Sequence, residues 1–100
     1  MRCKLVRDNI PEITAAQGKA FKFTTASKEE MIDLLTKKLQ EETFEFIEDN
    51  DAEELADILE IVLNLAAEIG IDQTELFETM KKKRERNGGF SRRIVMELTP

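Results

Sequence analysis

Histidine is absent and cysteine occurs once, as Cys3. These two facts exclude the usual zinc sites and any internal disulfide. A lone thiol fits a reducing compartment. Glycine (4) and proline (2) are scarce, while Leu, Ile, Ala, Glu and Lys are plentiful, and that balance favours helix. No apolar run reaches membrane-spanning length, and the first residues lack the apolar stretch of a signal peptide. The expected setting is the cytoplasm, with no membrane partner.

Positive charge is missing from one long stretch. No Lys or Arg occurs between Leu39 and Met80, which hold 14 acids, and seven basic residues then lie between Lys81 and Arg93. The net charge of −6 has the wrong sign for a general nucleic-acid binder. An acidic middle beside a basic end suits a phosphate ligand carried with a divalent cation. For most of these charges the simpler account, a solvated helix surface, suffices. One hundred residues make a single domain, residues 1–100, with no internal repeat or linker. A chain of this size buries roughly 60–70% of its unfolded surface, a thin core for which oligomerisation is a reasonable expectation.

Local signals divide the chain into helices. Asp8 or Asn9 can cap a short helix with Pro11 in its first turn, and Gly18 ends it. Residues 20–25 alternate in polarity and read as extended. Ser27 and Glu30 form a capping-box pattern that opens a helix to about Glu48. Asp49-Asn50-Asp51 breaks it. A second long helix runs from about Ala52 to Ile69 and ends at Gly70. Asp72 and Glu75 repeat the capping pattern for a third, which runs to about Arg86 and closes at Gly88 and Gly89. Residues 93–98 again look extended and offer a partner for 20–25 in a small two-stranded ribbon. The expected fold is all-α: an antiparallel bundle of three main helices plus a short N-terminal one.

Two acidic pairs stand out, Glu42/Glu45 and Glu54/Asp57, each spaced by one helical turn. On a wheel of about 100° per residue, Met31, Leu35, Leu39 and Phe46 mark the apolar stripe of the first long helix, with Leu34 at its edge. Glu42 falls inside that stripe. Glu45 falls between Met31 and Leu34, and Lys38 falls there too. An unpaired buried carboxylate costs several kcal/mol. Two of them one turn apart also repel. A bound cation reverses the sign of that energy. The second long helix is apolar over most of its circumference, and Glu54, Asp57, Asn64 and Glu68 form a narrow polar stripe interrupted by Ile61. Any amphipathic helix has a polar stripe, and Glu54 also suits the positive helix N-terminus.

A short connection makes the two helices antiparallel neighbours. With residues 50 and 51 as the turn, Glu45 and Glu54 lie at similar heights, as do Glu42 and Asp57; each cross-helix pair differs by roughly 3 Å. The four carboxylates can converge if their stripes face each other. Oxygen ligands suit a hard cation, Mg²⁺ or Mn²⁺.

The third long helix carries Leu76, Phe77 and Met80 on one face, and the same face continues into Lys83, Arg84 and Asn87. Basic residues are favoured at any helix C-terminus by the dipole; contact with phosphate oxygens is the functional alternative. Asn87-Gly88-Gly89-Phe90 reads first as a C-cap and turn, with Phe90 in the core. Arg7 and Asp8 read first as a local cap interaction, with closure of a ligand pocket as the alternative.

These residues resemble a known family, the MazG-like all-α nucleoside triphosphate pyrophosphohydrolases, which include phosphoribosyl-ATP pyrophosphohydrolase and the all-α dUTPases and dCTPases. The family pattern EExxE, spacer, ExxD reads here as Glu41-Glu42-Thr43-Phe44-Glu45 and Glu54-Leu55-Ala56-Asp57. The start, Lys4-Leu5-Val6-Arg7-Asp8-Asn9-Ile10-Pro11-Glu12, is similar to a small single-domain branch beginning KLVRDxIPE. Lys83-Arg84-Glu85-Arg86-Asn87-Gly88-Gly89-Phe90 resembles its KxxxxGGF ending. The spacer of eight residues between Glu45 and Glu54 is shorter than in the larger relatives. The resemblance implies Mg²⁺-dependent hydrolysis of a nucleoside triphosphate to monophosphate and pyrophosphate. It implies Glu42, Glu45, Glu54 and Asp57 as metal ligands and Glu41 as the residue that positions or deprotonates water. Lys38, Lys83, Arg84, Arg86 and Asn87 would contact phosphates. It further implies a homodimer or homotetramer with sites near subunit interfaces. Phosphoribosyl-ATP hydrolysis in histidine synthesis and a non-catalytic dimerisation or regulatory module of the same fold are the alternatives. No nucleic-acid polymer is expected as a partner.

Overall fold

Local capping chemistry sets the helix boundaries. In a computed structural model that describes residues 3–99, four helices follow one another: α1 (Ile10–Ala16), α2 (Lys28–Asp49), α3 (Ala52–Glu68) and α4 (Gln73–Asn87). Ser27 opens α2 with a complete capping box: its hydroxyl accepts from the Glu30 N–H at 3.2 Å, and Glu30 accepts from the Ser27 N–H at 3.1 Å. Asp51 caps α3 by accepting from the Glu53 N–H, and Asp72 caps α4 by accepting from the Glu75 N–H at 2.8 Å. Asn50 closes α2 in the left-handed region at φ 51°, a conformation that Asn tolerates better than most residues. With Asp51 beside it, the reversal between α2 and α3 needs only two residues.

That tight reversal lays α3 along α2, the principal helix contact, and α4 packs on α3. The backbone of α1 makes no close approach to another helix. The expected all-α architecture is present, with the long helices within about two residues of their expected ends. The ribbon is not. Residues 20–25 and 93–98 are exposed and form no ribbon, and no strand occurs among the described residues. An isolated two-stranded ribbon has too little apolar contact to hold itself in water. Phe90, expected in the core, is 98% exposed because nothing packs over the turn after α4.

The inward face of α2 is the expected one. Leu35 is buried, and Met31, Leu34, Leu39 and Phe46 are half-buried. α3 also turns the face that bears the second acidic pair inward. Its narrow acidic stripe turns toward α2: Glu54 and Ile61 are buried, and Asp57 is half-buried. Ile61, an interruption in the sequence pattern, belongs to the core. The apolar majority of α3 is only partly covered, and Leu55, Leu59 and Ile69 are each at least half exposed.

The single chain is therefore short of core. Its only buried apolar side chains among the described residues are Leu35, Ile61 and Ala66. The radius of gyration is 17.7 Å, against about 13 Å for a compact domain of this length. The accessible surface is 9250 Å², whereas a folded monomer of 11.5 kDa exposes about 5,800 Å².

Candidate functional site

A cleft of about 850 Å³ lies between α2, α3 and the N-terminal segment. Helical spacing builds two of its walls. Leu35, Lys38 and Glu42 share one face of α2, and Asp57, Ile61 and Asn64 share one face of α3. Lys4 to Asn9, with Ile10 and Ile13 from α1, form the third wall. Apolar side chains and charged groups of both signs line it together.

Glu42 is the central group. It is 9% exposed, and its Oε2 is buried with no hydrogen-bond partner. Burial pushes its carboxyl above the usual carboxylate range, the nearby charges of Glu45 and Asp57 push the same way, and Lys38 opposes them. An orphaned, desolvated carboxylate beside two more is a stability defect in the isolated chain. It is also an arrangement that a positive ligand would relieve.

Asp57 already has a positive partner. The Arg7 guanidinium donates to its Oδ1 at 2.5 Å, across 50 residues of sequence. The local Arg7–Asp8 interaction expected from the sequence is not formed; Arg7 reaches the helix pair instead. No local signal could reveal that contact, because it depends on how residues 4–9 cross α3. Glu60 and Asn64, also unanticipated, line the cleft, and Asn64 donates to the Glu60 carboxylate and carbonyl at 2.8 Å each.

The four expected metal ligands do not form one quartet. Glu42, Glu45 and Asp57 are electrostatic neighbours. Glu54 is buried as expected, but it responds to the turn. Burial raises its pKa, its own backbone N–H opposes the rise, and Asp49 and Asp51 add to it. Among the described residues no three acidic groups are arranged to hold an ion as their side chains stand. The donor chemistry nonetheless fits a hard divalent cation: carboxylate oxygens, one of them orphaned and walled from water. An ion drawn to Asp57 would compete with Arg7, which already occupies its Oδ1.

The remaining expected residues fall into two groups. Glu41 is exposed and lines a second cavity of about 700 Å³ with Lys37, Lys38 and Phe44, and its carboxylate is 3.9 Å from Lys38 Nζ. Lys38 thus stands between the two cavities. Lys83, Arg84, Arg86 and Asn87 are exposed on α4 and line neither cavity. Within one chain the basic helix end and the acidic cluster are not brought together. No helix among the described residues is long and apolar enough to cross a membrane. No protein-family model, curated protein or solved structure matches the chain.

Proposed function

We propose that the chain is a Mg²⁺- or Mn²⁺-dependent hydrolase that converts a nucleoside triphosphate to monophosphate and pyrophosphate, clearing non-standard or surplus nucleotides. The observation that carries this reading is Glu42, a nine-tenths-buried carboxylate with an orphaned oxygen, set beside Glu45 and Asp57 in a cleft that also holds Lys4, Arg7 and Lys38. The ordered resemblance to MazG-like motifs supports it. Glu42, Glu45 and Asp57 would hold the cation, with Glu54 joining after a shift away from the turn acids. Such a cation supplies charge neutralisation at phosphoryl oxygens and lowers the pKa of water. Glu41 would orient the attacking water, and Lys38 would contact phosphate.

The basic residues of α4 enter this reading through a second copy. The excess surface of about 3,400 Å² per chain is well above the roughly 800 Å² per partner of a standard-size interface and leaves room for a large obligate one. A homodimer or homotetramer would cover Leu55, Leu59 and Ile69 and allow Lys83, Arg84, Arg86 and Asn87 of one copy to approach the cleft of another.

A nucleotide-panel assay with product analysis tests the proposal. Pyrophosphate release is expected with Mg²⁺ or Mn²⁺, and Asp57→Asn should abolish it. Absence of turnover across the panel, with phosphoribosyl-ATP included, would sink the hydrolase reading. Faster turnover of phosphoribosyl-ATP than of any dNTP would move the substrate to the histidine-synthesis alternative. The lack of three pre-arranged acidic ligands favours a second reading, a non-catalytic dimerisation or regulatory module. That reading predicts no change in Tm on adding Mg²⁺.

A further inference from the structure

The bond from Arg7 to Asp57 is the one side-chain hydrogen bond among the described residues that spans more than four positions. Every other side-chain hydrogen bond among the described residues is local to its own turn or cap. That single long-range bond falls on Asp57, a proposed metal ligand in the cleft that holds the orphaned Glu42 oxygen. A guanidinium and a divalent ion both seek carboxylate oxygens, so they compete for Asp57. The segment carrying Arg7 has a second hold on the fold. Leu5, Val6 and Ile10 are half-buried and share the cleft with Leu35 and Ile61. Arg7 can therefore leave Asp57 while remaining in the cleft. The planar fork of donors of a guanidinium freed there matches phosphate oxygens.

We propose that Arg7 is a tethered cation that holds Asp57 in the metal-free protein, yields it to the divalent ion, and then binds the phosphates of the incoming triphosphate. This rests on the hydrolase reading for the identity of the ligands. It adds a binding residue from the N-terminal segment and an order of events, with the ion entering before Arg7 turns to phosphate. Arg7 is side-chain exposed by 60% and Asp57 by 38%, so the exchange requires no opening of the core.

The test uses the full chain and two probes without a base, Mn²⁺ alone and inorganic tripolyphosphate in the presence of Mn²⁺. Arg7→Ala should bind Mn²⁺ about two- to fivefold more tightly than wild type, the range for removing a solvent-exposed ion pair. It should bind tripolyphosphate about tenfold more weakly, as expected for the loss of a charge-assisted hydrogen-bonding group. A purely structural role would weaken both. Arg7→Lys keeps the charge and loses the fork. It should leave Mn²⁺ affinity near wild type and weaken tripolyphosphate binding, and it serves as the readout if Arg7→Ala does not fold. Unchanged affinities in both variants, or weaker Mn²⁺ binding in Arg7→Ala with its fold retained, would overturn the proposal. Asp57→Asn separates the two levels. If wild type binds Mn²⁺, Asp57→Asn does not, and the Arg7 variants behave as wild type, the metal site stands and the Arg7 role falls. If wild type binds no Mn²⁺, both fall.

Discussion

Replacing Glu42 by Gln probes the carboxylate at the centre of the cleft. The side chain keeps its shape and loses its charge. In the metal-free protein that charge is buried, its Oε2 has no partner, and Glu45 and Asp57 repel it more than Lys38 relieves it. A polar group left unpaired in such a setting costs about 1–3 kcal/mol. The amide also offers donors to the flanking carboxylates. Glu42→Gln should therefore stabilise the metal-free protein at pH 7 by about 1–2 kcal/mol, a rise of roughly 5–15 °C in Tm for a domain of this size. The pH dependence has a definite sign. The folded carboxyl titrates above its unfolded value, so its stabilising contribution is complete below the ordinary carboxylate pKa and is lost as pH rises through the raised one. Wild type should lose stability across that window more steeply than the variant, and the two should converge in acid. A divalent cation reverses the order. At one hundred times its Kd it adds about 2.7 kcal/mol to wild type, and the variant should gain little. Thermal melts at fixed protein concentration, in EDTA and in Mg²⁺, measure all of this. A variant less stable than wild type in EDTA at pH 7 would refute the claim that Glu42 is an uncompensated buried charge.

Two further outcomes follow from the fold. Sedimentation should show a homo-oligomer, and Leu59→Glu, which puts a charge on the half-exposed apolar face of α3, should weaken association at least tenfold; a wild-type chain that sediments as a folded monomer at 100 times the assay concentration would remove the second copy from the proposed site. Ser27→Ala deletes the hydroxyl that accepts from Glu30 N–H and should lower stability by about 1 kcal/mol in urea titration, with no change in cation affinity; an unchanged midpoint would mean that the capping box contributes nothing to holding α2.

The helices were readable because their causes are local. Ser27 with Glu30, the Asp49-Asn50-Asp51 break, and Asp72 with Glu75 act over three or four residues, and the structure puts helix ends at each of them. Glu42 was readable for the same reason: periodicity alone put it among Met31, Leu35 and Leu39, and it is buried there. Periodicity also promised a ribbon from residues 20–25 and 93–98. That promise failed because pairing two distant segments needs a shared apolar surface that this chain does not provide.

Which face of α3 turns inward was decided by tertiary packing. The sequence left α3 apolar over most of its circumference, and the two-residue reversal presents Glu54, Asp57 and Ile61 to α2 and leaves Leu55 and Leu59 half exposed. The same docking separates Glu54, held among the turn acids, from Glu42. It also delivers Arg7 to Asp57 from 50 residues away. Caps and periodicity belong to neighbours along the chain and are written in it directly. The charge balance of the cleft depends on where three separate segments come to rest against one another, and no single segment carries that information.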